Sequence, residues 1–318
     1  MRLSSPSANI FSHKNEQNPR PNTSGGGFVQ VRAFSKINLL LEVLERRADN
    51  YHNLRSVMQS LSLHDTITIT TQESNNDESP CVTVTCDNPG LFTDERNLVT
   101  RAALYIKEAF DTGRQNINLH IEKRIPVAAG LGGGSSDCAA TLVGLNQIFN
   151  LSLTVDALRK IGLRFGADVP FCITGGTFLA EGVGEKLTEL PAHPPCWIVL
   201  ACLDIPVSTA EIFKKCVPSN AGDCINRLIQ SEFFYDLNRI TSMFKNDLMQ
   251  VTVVMHPQIA ELIEDMKQLG AINAAMSGSG PSVFGYFTCE QSAQAAKHTL
   301  KKTINNVYIT QPERMRLP

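Results

Sequence analysis

The sequence predicts an α+β fold. Residues 62–71 alternate apolar and polar side chains at a period of two, as a half-buried strand does. Ala139, Leu142, Val143, Leu145, Ile148 and Phe149 recur instead at helical spacing behind a glycine cluster. Strands and helices do not follow one another in the regular alternation of a βαβ chain, and no internal repeat is evident.

Taken in order, residues 1–27 are polar, carry Glu16 as their only acidic residue and end in Thr-Ser-Gly-Gly-Gly. This is a disordered extension by composition. Acid-poor, Ser-rich stretches also open organelle transit peptides, but arginine is sparse here and a bacterial extension is the default reading. Val29–Val43 is apolar and β-branched at its ends and reads as a first strand and its return. Arg46–Leu54 is a turn in which Asn50 tolerates positive φ. Ser62–Thr71 is a strand, 72–80 a polar loop and Cys81–Cys86 a further strand. Asn97 opens a helix through Phe110 with Leu98, Ala102, Tyr105, Ile106 and Ala109 on its face. Ile117–Ile121 is a strand ending in Glu122-Lys123-Arg124, either an aid in holding polyphosphate or a solvated strand end.

Ser135 or Ser136 caps the helix behind the glycine cluster. Thr154 caps another, running to Phe165 and closed by Gly166. Gly175-Gly176 and Glu181–Glu185 are turns. Trp197–Leu203 is a buried strand within the longest apolar run, Cys196–Leu203, which is far too short to span a bilayer. Leu228–His256 is helical and connective, and Pro257–Leu269 is an amphipathic helix ending at Gly270.

The 318 residues suffice for one large or two medium domains, and 42% hydrophobic with 19% charged residues is a soluble globular composition. A net charge of −2 offers no basic field for nucleic acid, and no Lys/Arg run suggests a membrane surface. Nine cysteines without a CxxC pair imply free thiols in a reducing, cytoplasmic compartment, or a plastid-type organelle if residues 1–27 are a transit peptide. Cys138, on the first turn of the glycine-loop helix, reads as a small packed residue, with a thiol activated by that helix as the alternative. No Cys/His cluster has zinc spacing.

The chemistry concentrates in Pro126–Ser136, PVAAGLGGGSS. A loop nearly free of side chains that feeds a helix N-terminus lets backbone N–H groups approach an anion, and the helix dipole favours negative charge there. A phosphate or nucleotide polyphosphate is the expected occupant. Between Gly130 and Asp137 there is no lysine, so this is not a Walker A loop, and Ser135 stands where a dinucleotide fingerprint needs its third glycine.

Pro126 through Ser136 resembles the second motif of the GHMP kinases. Lys36-Ile37-Asn38-Leu39 is similar to the first motif, with Phe34-Ser35 in place of Pro-Ala. Ala275–Gly285 is similar to the third, with Pro281 in place of the commoner alanine, and Gly166-Ala167-Asp168-Val169-Pro170 carries the family's aspartate. Arg47-Ala48-Asp49-Asn50-Tyr51-His52 looks like the segment of the branch that acts on 4-diphosphocytidyl-2-C-methyl-D-erythritol, with Asn50 for glycine. The resemblance covers roughly residues 29–290.

The resemblance implies two lobes with the active site in the cleft between them. The N-terminal ATP-binding lobe, 28–190, would be like the second domain of ribosomal protein S5, and the C-terminal lobe, 191–318, ferredoxin-like. The boundary falls near the proline-rich Leu190–Pro195. The implied reaction is ATP-dependent phosphorylation of the substrate's 2-hydroxyl, with Mg2+ as cofactor. Asp168 would be the base and Lys36 its partner at the transferred phosphoryl group. Pro126, Val127, Ala128, Ala129, Gly130, Leu131, Gly132, Gly133, Gly134, Ser135 and Ser136 would cradle ATP, with Asn97 near adenine or simply a helix cap. Asn38, Tyr51, His52, Phe213, Ser277 and Gly278 would bind the substrate. Tyr51 and Phe213 would sandwich its cytosine, although Ala210 replaces a proline common beside Phe213, and a core Phe is the alternative. Ser136 is the candidate magnesium ligand, with no acidic ligand set in view. The resemblance leaves a monomer or homodimer open. The rivals are another kinase of the family, acting on mevalonate, homoserine or a sugar, and a ligand sensor that has lost Lys36 or Asp168; neither residue is lost.

Overall fold

The computed structural model describes residues 26–49, 51–74, 81–218 and 236–314. Outside them lie nearly all of the expected N-terminal extension, Asn50, most of the 72–80 loop and the start of the 228–256 stretch.

The long hairpin of β1 (Phe28–Arg46) and β2 (His52–Glu73) forms the spine of the molecule. The expected return within 29–43 does not occur. β1 contains no glycine or proline to turn it, and register shifts at Phe34/Lys36 and Asn38/Leu40 bend the strand without reversing it. β3 (Val82–Cys86), β4 (Gln115–Glu122), β5 (Thr177–Gly182), β6 (Lys186–Glu189) and the two-residue β8 (Lys245–Asn246) complete a seven-stranded sheet of order β3-β4-β2-β1-β8, with β5 and β6 branching from β2. A second, antiparallel sheet has the order β11-β7-β10-β9, from β7 (Trp197–Cys202), β9 (Ala274–Met276), β10 (Ser282–Phe287) and β11 (Asn306–Thr310).

α1 (Leu98–Ala109), α2 (Gly133–Ile148), α3 (Val155–Gly162) and α4 (Val169–Thr174) share a core with Ile67, Ile69, Ile117 and Leu119 of the first sheet. Ile37, Leu40 and Leu61 meet Ile198, Leu200, Phe284 and Tyr286 between the sheets. Val199, Ala201 and Val283 face α5 (Thr209–Lys215), α8 (Gln258–Gln268) and α9 (Glu290–Leu300) in a third cluster. β7 is therefore buried on both faces, which is why its run is continuously apolar and not alternating. α6 (Leu237–Ser242) and α7 (Met249–Met255) flank β8.

Asn97 and Thr154 cap α1 and α3 as expected, through Val99 N–H and Ala157 N–H. The third helix stops at Gly162, short of Phe165 and Gly166. α4 is not evident in the sequence, because Asp168-Val169-Pro170 follows a helix stop and reads as a turn. The proline sits in the first turn of the helix, where its missing N–H costs nothing. The eight described cysteines are free; Cys138 is fully buried and burial raises its thiol pKa, so it packs as a small apolar residue. Among the described residues no helix is long and apolar enough to cross a membrane.

Candidate active site

The glycine loop folds as it does because its residues take left-handed backbone angles, Ala128 at φ 55°, Gly130 at 74° and Gly132 at 71°. α2 begins at Gly133 with Gly132 as its cap and no side-chain cap bond. Neither Ser135 nor Ser136 caps it, contrary to expectation. The helix starts inside the glycine cluster, and the Ser136 hydroxyl donates to the Phe34 carbonyl. The first-turn N–H groups of α2 are thus left for an anion.

Lys36 crosses this loop. Its N–H donates to Leu131 O at 2.9 Å, and a Cβ on Gly132 would lie 2.8 Å from Lys36 Cγ, so only glycine lets the lysine stem pass. Lys36 Nζ, almost fully buried, donates to Asn38 Oδ1 at 2.8 Å and stands 3.4 Å from Asp168 Oδ2. Asn38 Nδ2 donates to Ser56 Oγ at 2.8 Å, which fixes the amide's orientation. Asp168 precedes α4 but spends its carboxylate on no capping bond and stays 37% exposed toward the cleft. The cation is therefore held by its surroundings while the carboxylate remains accessible.

A cleft of about 960 Å³ collects these groups. Lys36, Asn38, Gly130, Gly132, Ser135, Asp168, Gly278 and Ser279 line one part of it, and Tyr51, His52, Phe213, Arg46 and Lys214 another. Of the remaining expected residues, Pro126, Val127, Ala128, Ala129, Leu131, Gly133, Gly134, Ser136 and Ser277 do not line it; Ala129, Leu131, Ser136 and Ser277 are buried, and Val127 is exposed. Ser277 supports the loop from behind, its hydroxyl donating to Gly130 O at 3.0 Å. Asn97 is also outside the lining, its amide donating to Phe92 O and its Oδ1 engaged as the helix cap.

At the far part of the cleft His52, not Tyr51, stacks on Phe213, with ring centroids 5.8 Å apart at 28°. Tyr51 is 65% exposed. The expected sandwich places a cytosine between Tyr51 and Phe213, and both residues line the cleft; β2 begins at His52, whose imidazole is the ring in contact with Phe213. Burial, with Arg46 adding to it, lowers the pKa of His52, so its ring is neutral at pH 7.

Lys123, the neighbour with a possible polyphosphate role, is committed elsewhere. Its Nζ donates to Asp65 Oδ2 at 2.5 Å and Asp137 Oδ2 at 2.6 Å, and its side chain is 5% exposed. Asp65 Oδ1 accepts from Arg124 N and Ile125 N at 2.5 and 2.7 Å. A buried Asp–Lys–Asp bridge therefore lies beneath the first turn of α2. Its members are far apart in sequence, and nothing local signals them. Among the described residues no group of three or more His, Cys, Asp or Glu is placed to hold an ion, and the Ser136 hydroxyl donates its proton to Phe34 O, which does not occupy its oxygen lone pairs.

Residues 97–176 match the GHMP kinases N terminal domain and residues 227–306 the GHMP kinases C terminal domain. A protein of Geobacter metallireducens named 4-diphosphocytidyl-2-C-methyl-D-erythritol kinase is 42% identical over 276 residues, covering 86% of this chain and 94% of its own. A Geobacillus protein of the same name is 40% identical, covering 87% and 94%. The chain belongs to the 4-diphosphocytidyl-2-C-methyl-D-erythritol kinases, within the GHMP kinases.

A crystal structure of a 4-(cytidine 5'-diphospho)-2C-methyl-D-erythritol kinase superposes with a TM-score of 0.72 at 30% identity, over 90% of this chain and all of that one. Homoserine kinase from Cytophaga hutchinsonii shares the fold alone, with a TM-score of 0.71 at 18% identity over 96% and 98% of the two chains. In this GHMP kinase the first and second motifs meet where Lys36 crosses Gly132, and the third meets the second where Gly130 packs against residues 277–280.

Proposed function

We propose that the chain transfers the γ-phosphoryl group of ATP to the 2-hydroxyl of 4-diphosphocytidyl-2-C-methyl-D-erythritol. The observation that carries this reading is the Lys36–Asp168 pair, 3.4 Å apart and lining the same cleft as the uncapped start of α2. The α2 N-terminus and loop residues Gly130–Ser135 would bind the ATP phosphates through backbone N–H groups. Asp168 would accept the proton of the attacking hydroxyl as the O–P bond forms, and Lys36 would neutralise charge developing on the transferred group. Asn38 keeps the Lys36 ammonium aimed at that point. His52 and Phe213 would hold the cytosine, with Tyr51 at the rim.

Magnesium would arrive with ATP as part of the substrate, held by phosphate oxygens and water. In this reading residues 28–190 form the ATP-binding lobe and 191–318 the second lobe. The relatives' names support this acceptor over mevalonate, homoserine or a sugar.

The test is ADP release from MgATP with the diphosphocytidyl substrate, beside mevalonate, homoserine and galactose. Turnover with the cytidine compound alone is expected. Turnover with another acceptor in its place would overturn the substrate while keeping the chemistry.

A further inference from the structure

Asn246 does not line the cleft, yet it is only 5% exposed and all of its amide is used. Its Nδ2 donates to Met276 O at 2.9 Å and Gly278 O at 2.8 Å, and its Oδ1 accepts from Leu248 N at 3.0 Å. Two carbonyls on one side and an N–H on the other leave no second orientation for the amide. The carbonyls belong to the 277–280 turn and the residue before it. The Ser277 hydroxyl of that turn donates to Gly130 O at 3.0 Å, and its Ser277 and Gly280 carbonyls fill the place a Cβ on Gly130 would take.

The same short stretch grips the strand that bears Lys36. Asn246 pairs with Leu41 in parallel register, Asp247 N donates to Leu41 O at 3.0 Å, and Asp247 Oδ2 accepts from Val43 N at 2.9 Å. Two adjacent residues thus tie the turn behind the glycine loop to β1. Thr252 stands against the same turn, its one hydroxyl proton shared between Leu248 O at 3.0 Å and Ser279 O at 3.3 Å.

We propose that Asn246 is a positioning residue for nucleotide binding: it holds the 277–280 turn, and through it Gly130, in register with the strand that presents Lys36. It rests on ATP occupying the glycine loop, and not on which acceptor is phosphorylated. Misplacing a binding loop by about an ångström costs on the order of a hundredfold.

The variant Asn246→Asp keeps the size and places a second oxygen against two carbonyls. Direct titration with ATP, without any acceptor, should show affinity lowered about 10–100-fold. Thr252→Val, a milder loss on the same turn, should shift it in the same direction by a smaller factor, and serves if Asn246→Asp does not fold. In turnover, KM for ATP should rise more than KM for the diphosphocytidyl substrate, because the turn packs directly on Gly130 and reaches the helix that bears Phe213 through the Thr209–Ser279 hydroxyl pair, 2.8 Å apart. Folded Asn246→Asp with parental ATP affinity would overturn the inference, as would unchanged affinity in Thr252→Val where the first variant cannot be made, or an equal rise in both KM values. Failure of the parent to phosphorylate the cytidine compound would bear on the substrate alone, since the ATP titration needs no acceptor.

Discussion

Lys36 is defined by what surrounds it. An amine held by Asn38 and threaded over Gly132 has little freedom, and its charge reaches the cleft only beside Asp168. Asp168→Asn should therefore lower kcat by about 10²–10⁴ while ATP affinity persists, measured by steady-state turnover and nucleotide titration. Gly132→Ala should weaken turnover too, since a left-handed φ of 71° and a methyl 2.8 Å from Lys36 Cγ must displace that stem. His52 gives a pH signature. Its pKa is lowered by burial and by Arg46, so the ring takes up a proton only below the ordinary imidazole range, and acidification that far should raise KM for the cytidine substrate, an effect absent in His52→Phe. The sequence made Lys36, Asp168 and Phe213 readable because each sits in a contiguous motif. The same segment offered both Tyr51 and His52, and both line the cleft; that the ring stacked on Phe213 is His52 could not be read, because the residue at which a hairpin turn gives way to a strand is decided by register, which one sequence does not carry.

The strand β2 and the helix α2 meet at groups that no motif contains. Lys123 bridges Asp65 on β2 and Asp137 on α2, all nearly inaccessible to water. Lys123→Met leaves two buried carboxylates without their cation and should cost about 3–5 kcal/mol in urea unfolding. Asp137 adds a pH dependence. Burial first, reinforced by the neighbouring Asp65 and opposed by Lys123, pushes its carboxyl up to about 8. A carboxyl raised above its unfolded value of about 4 favours the fold most below that pH and loses the contribution as pH climbs toward about 8. Asp137→Asn removes this titration, so thermal unfolding from about pH 5 to 8.5 should show the variant gaining on the parent as pH rises. α2 itself was readable from its spacing, but its start was not. A serine is the better cap by preference, and Gly132 takes the position because the crossing Lys36 demands a glycine there.

Across the molecule, the α+β class followed from mixed periodicities, and the strand β7 from its continuous apolar run. The interleaving of the pieces could not be read. β8 is two residues long, too short for any periodicity, yet it adds the far part of the chain to the first sheet beside β1. The segment after β11 does the same on the other strand of the spine: Ser62 N donates to Gln311 O, Glu313 N to Ser60 O, and Gln59 Nε2 to Glu313 O. These pairings have a consequence for biosynthesis. Leading domains usually fold while the ribosome is still translating the rest of the chain, at about 5–20 residues per second. Here the central hairpin lacks its β8 edge and the pairings of Ser60 O and Ser62 N until Asn246, and then Gln311 and Glu313, have been made. A nascent chain halted after Leu190 should remain sensitive to protease, and one carrying residues through Arg314 should become resistant once released; pulse proteolysis of stalled complexes would read the difference. Residues that leave the ribosome late thus decide when the early ones are safe.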